Sequence, residues 1–443
     1  MNSKLILVTG ATGYIAGRLI PKLLDRGHTV RALARNPQCL RSRDWHGRVE
    51  ILQGNIMDAA SLAAALKGVH TTYYLVHSMS MGTGYTKFET QAAQRFALAA
   101  EEAGVQHIIY LGGLADKNQP ISPHLLSRIE TGSTLRQGNV QVTEFRASVI
   151  AGSGSTSFEM IRFMTELFPI VPIPLWMKNK AQPIAVQNIL DYLLAALEKS
   201  AGSRALDIGG PDVITYQDLI ETYARVRGHK CGFLSLPYIP VRVMAFGIGL
   251  MSPVPYLIAR ALVRGLAHDS IVTSNEAHGI YPEIKPINFE SAVRLALENL
   301  HPLKVEHVWE ADIENSSAFS SCAAIYKHEG FFIKYRKVIV HAQPATVFNA
   351  IEKMAGDLGE PRFIVDTCEP NKLMLLRSQR KIPGDGWLEW RIEPSSDGTA
   401  LTQTVFFAPC GLAGFVYWYL LYPVHMLTFN NFIRRIKRHC SRL

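Results

Sequence analysis

The segment LILVTGATGYIAGRL, residues 5–19, constrains the fold of this 443-residue chain more than any other stretch. An apolar run leads directly into Gly10 and Gly13 and then into a helical pattern that contains Ala16. Gly10 permits a tight turn, Gly13 lets the backbone approach a pyrophosphate, and Ala16 keeps the helix close to the sheet. The N-terminus of such a helix presents N–H groups and a partial positive charge to phosphate. The spacing therefore predicts a strand–turn–helix unit that binds a dinucleotide.

The residues up to 150 continue this alternation of strands and helices. Apolar runs predict strands at 5–9, 29–34, 49–54, 71–77, 107–113 and 142–148, and helical periodicity predicts helices at 14–26, 59–67, 86–103 and 124–137. Strands that alternate with helices at this spacing form a parallel, doubly wound sheet, so the predicted fold class is α/β of the Rossmann type. Residues 151–300 are less regular, with a strand predicted at 205–210 and a capped helix at Thr215–Arg227.

A different pattern begins after residue 330. Residues 301–330 are polar and without helical or strand period, which predicts a linker. Strands are predicted at 334–342, 372–378, 386–394 and 399–409, with a Pro-started helix at 344–354 and a long C-terminal helix. We therefore expect a dinucleotide-binding domain at 1–150, a substrate region of the same unit at 151–300, a linker at 301–330 and an α+β domain at 331–443.

The candidate cofactor-binding residues follow successive strands of the predicted sheet. At the end of the second strand, NAD-binding proteins usually place an acid that grips the ribose 2′-hydroxyl. This chain has Arg35 there and Arg31 four residues before, so a 2′-phosphate meets a cation, which favours NADP and leaves NAD as an alternative. Asn55 follows the third strand, where an amide can read the adenine edge. The expected cofactor contacts are Gly10, Thr12, Gly13, Tyr14, Ile15, Arg35, Asn55, Ile56, Leu75, Val76, His77 and Gly112.

Several of these segments carry a family resemblance. TGATGYIAGRL, YYLVHSM, HIIYLGGL, SPHLLSRIETG and QPIAVQNIL resemble the atypical short-chain dehydrogenase/reductases of the NmrA-like group. RASVIAGSGSTSFEMIRF, DIGGPDVITY, LTQT and GLAGFVYWYLLYPVH resemble a bacterial subgroup in which that domain is fused to a C-terminal domain of unknown function. The resemblance implies a START-like, helix-grip fold for the C-terminal domain, with a cavity for apolar ligands. Only about twenty residues join its first helix to KLMLLRS, which is shorter than the resemblance implies and predicts a smaller or open cavity.

The expected catalytic residues depart from that family pattern. The ordinary short-chain enzymes use Ser, Tyr and Lys, with Tyr and Lys one helical turn apart so that both face the nicotinamide. Here the fifth strand ends in Leu-Gly-Gly, and the Tyr and Lys positions hold His124 and Arg128. Histidine can act as a general acid and arginine can hold a ribose or phosphate. The alternative is a structural histidine near the start of a helix capped by Ser122, followed by a solvated arginine. No metal-binding motif is present, so no metal is expected.

The charge distribution points to a surface contact. The net charge is +9, and residues 434–442 hold five of the basic side chains and no acid, directly after the apolar and aromatic stretch 415–432. Nucleic-acid binding is not expected, because no folded module combines a basic face with groove-reading residues. A membrane or partner surface fits better. No stretch qualifies cleanly as a membrane span. With no CxxC pair and no visible secretory signal, we expect a cytoplasmic protein, at the inner face of the membrane if it binds there.

These observations favour an NADP(H)-binding oxidoreductase with an apolar or lipid-like small-molecule substrate. Two alternatives remain. The loss of the Ser-Tyr-Lys set favours a non-catalytic NADP(H) sensor or assembly factor, and the apolar C-terminal region favours a lipid-binding protein in which the dinucleotide domain is a scaffold.

Overall fold

The computed structural model describes residues 3–77, 84–115, 121–252, 254–305, 326–358 and 363–441. The chain divides into two compact units, one containing Met1–Met164 and Ile170–Asn299 and the other containing Thr165–Pro169, Leu300–Val305 and the described residues after 325. Most of the predicted linker, 306–325, and Arg442 of the basic tail lie outside the described residues. The boundaries expected at 150, 300 and 330 stay predictions.

The first part of unit one alternates strands and helices as predicted. In chain order the elements are β1 (Leu5–Thr9), α1 (Tyr14–Asp25), β2 (Thr29–Ala34), β3 (Glu50–Gln53), α2 (Ala59–Leu66), β4 (Thr71–Tyr74), α3 (Tyr85–Glu102), β5 (His107–Gly113), α4 (Pro123–Leu135) and β6 (Gln141–Ala147). Most bounds lie within one residue of the predictions. The fourth strand is shorter, since Leu75–His77 already belong to the loop that follows it.

The second part of unit one adds one strand to the main sheet and several short pairs. Its elements are β7 (Ile150–Ala151), α5 (Thr156–Leu167, whose last three residues are assigned to unit two), β8 (Ile170–Pro174), β9 (Lys180–Ala181), β10 (Ile184–Ala185), α6 (Val186–Glu198), β11 (Arg204–Ile208), β12 (Ile214–Thr215), α7 (Tyr216–Arg227), β13 (Gly232–Leu236), α8 (Val241–Met251), α9 (Tyr256–Gly265), α10 (Glu276–Ile280) and α11 (Phe289–Glu298). Thr215 and Asp218 form a reciprocal capping box at the start of α7, which confirms the predicted cap.

The main sheet has seven strands in the order β11-β6-β5-β4-β1-β2-β3, and every neighbouring pair is parallel. Alternate residues of β1 enter two different hydrophobic clusters. Ile6 and Val8 pack with α1 and α6, whereas Leu7 packs with α2 and α3. Helices therefore cover both faces, and the predicted doubly wound α/β fold is confirmed.

Unit two is a sheet-rich α+β module. Its strands are β14 (Tyr326–His328), β15 (Phe331–Val340), β16 (Phe363–Glu369), β17 (Leu373–Ser378), β18 (Gly384–Ser395) and β19 (Gly398–Pro409), and its helices are α12 (Pro344–Leu358) and α13 (Gly411–Cys440). The antiparallel sheet has the order β14-β15-β19-β18-β17-β16. The rings of Phe407 and Trp418 stack at 5.3 Å, so α13 packs on the sheet through its aromatic face.

The C-terminal helix bears on the question of a membrane span. Among the described residues, no single helix has both the length and the apolarity required to cross a bilayer. The segments Gly411–His425 and Leu427–Cys440, which are bent by 41° relative to each other, meet such a criterion only as a pair.

Candidate functional site

The glycine-rich loop between β1 and α1 is held close to the end of β4. Gly10 adopts φ +68°, a conformation that side chains disfavour. A Cβ at this position would lie 2.5 Å from the carbonyl oxygen of Leu75. The backbone N–H of Gly13 donates to the carbonyl oxygen of Gly10 at 2.8 Å and closes the turn. This loop can therefore lie so close to the end of β4 only because position 10 is a glycine.

The start of α1 fits a phosphate group. Gly13 is the N-cap residue, no side chain caps the helix, and no acid lies in its first turn. A Cβ at Gly13 would project into the space beside the Gly10 carbonyl, at 3.1 Å from its oxygen. The partial positive charge of the helix N-terminus is thus left for an anionic ligand, and the glycines keep the approach open. The backbone N–H groups at the start of α1 are hydrogen-bond donors that fit a dinucleotide pyrophosphate.

A cavity of about 370 Å³ begins at this loop. From the glycine-rich loop it runs past the ends of β4 and β5 and the first turns of α4 to a wall of apolar side chains. The lining includes Gly10, Gly13, Tyr14, Ile15, Leu75, His77, Gly112, His124 and Arg128 of the predicted site, and Met160, Ile161, Met164, Met177, Leu219, Ile220 and Leu262 beyond it. Nine predicted site residues thus share one cavity, whose far side is apolar.

The other predicted cofactor contacts lie outside the cavity lining. Thr12, Arg35, Asn55, Ile56 and Val76 follow β1, β2, β3 and β4, which are neighbours in the parallel sheet. They therefore lie along the same carboxyl edge as the cavity, where ligands bind in open α/β sheets. The Asn55 side-chain oxygen accepts the backbone N–H of Met57 at 3.0 Å, which holds the amide in place and leaves its NH₂ group for a ligand.

The two arginines of β2 have different surroundings. Arg31 forms an ion pair with Glu50 at 2.8 Å and also donates to the carbonyl oxygens of Ala65 and Lys67. Arg35 is exposed at the end of the strand, and within the described part of the chain its guanidinium has no ion pair. The contact expected between Arg35 and a 2′-phosphate stays a prediction.

A hydrogen-bonded network lies in the wall of the cavity. Nδ1 of His77 is 2.7 Å from Oε1 of Glu89, and the hydroxyl of Ser127 donates to Oε2 of Glu89 at 2.5 Å. Glu89 and Ser127 are both buried. Burial, followed by the charge of Arg128, lowers the pKa of His77 below its ordinary value, and Glu89 opposes this shift. The Nε2 atom of His77 is buried without a hydrogen-bond partner among the residues that the structure describes.

His124 lies beside this network. α4 begins with the predicted cap, in which the Ser122 hydroxyl accepts the N–H of Leu125. The ring centroid of His124 is 5.3 Å from that of His77. Burial, His77 and Arg128 lower the pKa of His124 to about 3, so its imidazole is neutral at physiological pH. Arg128 donates to the carbonyl oxygen of Leu111 at 2.8 Å. The catalytic roles expected for His124 and Arg128 stay predictions, and any proton that His124 donates comes from a neutral ring.

The hydroxyl of Tyr110, a further polar group of β5, is already used in a hydrogen bond within the protein. Its ring is fully buried, and its hydroxyl donates to the carbonyl oxygen of Arg128 at 3.0 Å. Burial raises its pKa. The tyrosine therefore packs against α4 and holds Arg128 in place.

Sequence reasoning missed the carboxylate in this site. Glu89 lies on the buried face of α3 together with Ala92, Ala93, Phe96 and Ala100. An acid at helical spacing with alanines and a phenylalanine was the signal that could have revealed it, because charged residues are rarely buried without a partner. Within the described residues, no group of three or more His, Cys, Asp or Glu side chains could hold a metal ion.

Unit two has a cavity of its own. It encloses about 190 Å³ between the sheet and α13, lined by Lys334, Tyr335, Arg336, Gln403, Val405, Phe429 and Asn430. Gln403 links the two walls, because its amide donates to the carbonyl oxygen of Phe429 at 3.1 Å and its oxygen accepts from the Trp390 indole at 3.0 Å. This volume is below the range of typical small-molecule pockets.

The parallel sheet, the glycine-rich turn and the uncapped α1 together define unit one as a Rossmann-type dinucleotide-binding protein. Residues 2–270 match the NmrA-like family, and the chain belongs to this NAD(P)-binding family. Residues 357–432 match a second family, described as a protein of unknown function, DUF2867. The START-like reading of the C-terminal unit gains no support from this match.

Relatives of known activity cover parts of the chain. A Mycobacterium tuberculosis 3β-hydroxysteroid dehydrogenase/Δ5→4-isomerase is 34% identical over 115 residues, which span 24% of this chain and 30% of the enzyme. A Streptomyces griseus (4-alkanoyl-5-oxo-2,5-dihydrofuran-3-yl)methyl phosphate reductase is 27% identical over 268 residues, 59% of this chain and 85% of the enzyme. The chain thus matches less than a third of the length of the mycobacterial enzyme.

Solved structures show the same fold for the first unit. The triphenylmethane reductase of Citrobacter sp., complexed with NADP(H), is 20% identical with a TM-score of 0.52 and covers 66% of this chain and 99% of its own. At this identity the likeness concerns the fold alone.

Proposed function

We propose that this chain is an NADP(H)-dependent oxidoreductase that acts on an apolar or lipid-like small molecule. The observation that carries the proposal is the continuous cavity, which has a phosphate-binding helix N-terminus at one end and methionine, leucine and isoleucine side chains at the other. Its volume of about 370 Å³ lies within the range of small-molecule sites. A bound nicotinamide would supply the hydride chemistry, and the apolar wall would hold the substrate next to it.

The preference for NADP(H) over NAD(H) rests on Arg35. The exposed guanidinium lies at the end of β2, where a ribose 2′-phosphate would be bound, and no acid lies between Ala34 and Cys39 to repel that phosphate. Arg35 is thus expected to form a charge-assisted contact with the 2′-phosphate.

The activities of the relatives support redox chemistry rather than a particular substrate. One relative is named as a hydroxysteroid dehydrogenase and another as a reductase of an alkanoyl-bearing phosphate ester. The steroid of one name and the alkanoyl group of the other are hydrocarbon parts, which agrees with the apolar wall formed by α5, α7 and α9 in this chain.

A non-catalytic NADP(H) sensor or assembly factor is the second candidate. It is favoured by the replacement of the usual Ser-Tyr-Lys set, since β5 ends in Leu111-Gly112-Gly113 and a neutral His124 occupies the tyrosine position. A lipid-binding protein based on unit two is less well supported, because the cavity of about 190 Å³ is small.

For unit two we propose a START-like, helix-grip module that brings the chain to the cytoplasmic face of a membrane. The support is a long helix packed on an antiparallel sheet, as helix-grip folds have. The outer side of α13 also carries an apolar stripe, formed by Leu412, Val416, Leu420, Val424 and Leu427, which are all exposed. Exposed Arg434, Lys437 and Arg438 follow the stripe. An apolar stripe beside basic residues suits an anionic bilayer surface.

Two measurements test the proposed function. Isothermal titration of the full chain with NADPH and NADH should give tighter binding of NADPH. NADPH oxidation should then be followed with decanal, decan-2-one, a 3-ketosteroid and a short-chain ubiquinone. NADPH binding without turnover of any of them favours the non-catalytic candidate, and absence of NADPH binding contradicts the proposal.

A further inference from the structure

We propose that His77, oriented by Glu89 and Ser127, is the catalytic residue that exchanges the substrate proton in this site, in place of the usual tyrosine. The inference rests on the proposed oxidoreductase function and assigns a role that the sequence had not given to these residues. Three side chains from different parts of unit one carry it: His77 after β4, Glu89 in α3 and Ser127 in α4.

The hydrogen bonds determine which ring nitrogen carries the proton. Glu89 accepts from the Ser127 hydroxyl at 2.5 Å through one oxygen and lies 2.7 Å from His77 Nδ1 through the other. An ionised carboxylate accepts hydrogen bonds but donates none, so Nδ1 holds the proton and Nε2 holds a lone pair. Nε2 has no partner in the described part of the chain, and the His77 side chain lines the cavity. A carboxylate on one ring nitrogen and a lone pair without a hydrogen-bond partner on the other is the arrangement of a general base.

The neighbouring His124 is less suited to this task. Both rings line the cavity and both have lowered pKa values. The charge of Glu89 favours the protonated form of both rings, but Glu89 hydrogen-bonds to His77, at 2.7 Å. The charge of Arg128 in α4 opposes protonation of both rings, and its guanidinium donates to the Leu111 carbonyl oxygen. Of the two, His77 is therefore the stronger base. His124, with its ring 5.3 Å away, remains a neutral hydrogen-bonding group for the substrate oxygen.

The proton balance of the reaction follows. In the oxidation direction, His77 Nε2 takes the proton of the substrate hydroxyl while the carbon loses a hydride, with its two electrons, to the oxidised nicotinamide. The imidazolium formed is stabilised by Glu89 and passes its proton to solvent. In the reduction direction the imidazolium returns a proton to the carbonyl oxygen.

The test combines kinetics with a measurement that requires no turnover. His77→Gln and Glu89→Gln are compared with Glu101→Gln, a matched control at the far end of the same helix, in the full chain. We expect His77→Gln to slow oxidation of decan-2-ol by NADP⁺ by about 100- to 10,000-fold, with little change in NADP⁺ affinity. The rate of the wild-type chain should rise with pH as His77 loses its proton. In Glu89→Gln this rise should move to lower pH and the plateau rate should fall, which a purely structural role of Glu89 would not produce.

The second readout is the ¹⁵N spectrum of the histidine rings in the cofactor-free chain, assigned with His77→Gln. We expect His77 to carry its proton on Nδ1 and to lose this preference in Glu89→Gln but not in Glu101→Gln. A His77 proton on Nε2, or a wild-type rate in His77→Gln, overturns the proposal. A wild-type chain that does not oxidise decan-2-ol contradicts the proposed function instead, and the spectrum alone then decides whether His77 and Glu89 are paired in the inferred way.

Discussion

Arg31 and Glu50 form an ion pair across the neighbouring strands β2 and β3, with Nε and Oε2 2.8 Å apart. Two carbonyl oxygens, from Ala65 and Lys67, accept further hydrogen bonds from the same guanidinium. Arg31 thus links β2 to β3 and to the end of α2. Arg35, in contrast, is exposed at the carboxyl edge of the sheet.

The first prediction concerns Arg35→Ala. The change should remove a charge-assisted contact worth about 1.5–3 kcal/mol from NADPH binding and change NADH binding little. Titration calorimetry measures both affinities. Arg31→Gln serves as the control and should leave the preference between the two cofactors unchanged, whatever it costs in stability. Equal losses for NADPH and NADH in Arg35→Ala would refute the assignment of this arginine.

The two glycines of the loop should respond differently to substitution. Gly13→Val should abolish binding of both cofactors with a modest effect on the melting temperature, since Gly13 has an ordinary φ of −78°. Gly10→Ala should destabilise the fold itself by about 1–3 kcal/mol, because its φ is positive and its methyl group would collide with the Leu75 carbonyl oxygen. Thermal unfolding and calorimetric titration separate the two effects. Similar melting temperatures for the two variants would contradict this distinction.

Acidification should destabilise the chain through buried histidines. Burial lowers the pKa of His107 to about 4 and that of His124 to about 3, whereas the ordinary value is 6.5. Between these values and 6.5 the unfolded chain binds protons that the folded chain does not, so the free energy of unfolding falls as the pH falls below 6.5. Urea unfolding at pH 7.5, 6 and 5 measures this slope. His107→Gln should reduce it, and the same change at the exposed His278 should not.

The C-terminal helix should bind anionic vesicles in a salt-sensitive way. Each basic residue near an anionic surface contributes about 1 kcal/mol, so changing Arg434, Arg435, Lys437 and Arg438 to Gln should release the chain in a flotation assay. Leu420→Ser with Leu427→Ser should also weaken binding, because both side chains are exposed on the apolar stripe. Val365→Ser, an exposed apolar position on β16, is the matched control. If neither the charge variant nor the stripe variant differs from wild type, the proposed contact is wrong.

Most of unit one was predictable from the sequence because its strands are buried. β1, β4 and β5 are buried along almost their whole length, and their apolar, aromatic and β-branched residues form continuous runs. β16 in unit two was not predicted. Its residues Phe363–Glu369 are all half-buried or exposed, and the apolar run at its start is only three residues long, which is too short to distinguish the strand from a loop.

The cofactor loop was predictable from the sequence, because its backbone conformation depends on a short motif. The hydrogen-bonded pair in the cavity wall was not, because the fold brings its two residues together. The glycine spacing located the cofactor loop, and the family resemblance located His124 and Arg128. The contact between His77 and Glu89 joins residues twelve positions apart in different elements. His77 lies in a segment that carries the family resemblance, but nothing in the sequence pairs it with Glu89. Only the packing of α3 and α4 against the end of β4 brings them together.

The position of β11 in the parallel sheet determines which fragments of this chain can fold by themselves. The seventh strand of the parallel sheet is supplied by Arg204–Ile208, which pairs with β6 more than fifty residues after that strand has ended. α6, which packs on α1, also comes after residue 185. A fragment that ends near residue 150 would contain every residue of the glycine-rich loop, but it would leave β6 as an unpaired edge strand and would lack α6 on one face of the sheet. Such a fragment is expected to aggregate, and ribosomal synthesis must pass residue 208 before the nucleotide-binding half can close its own sheet.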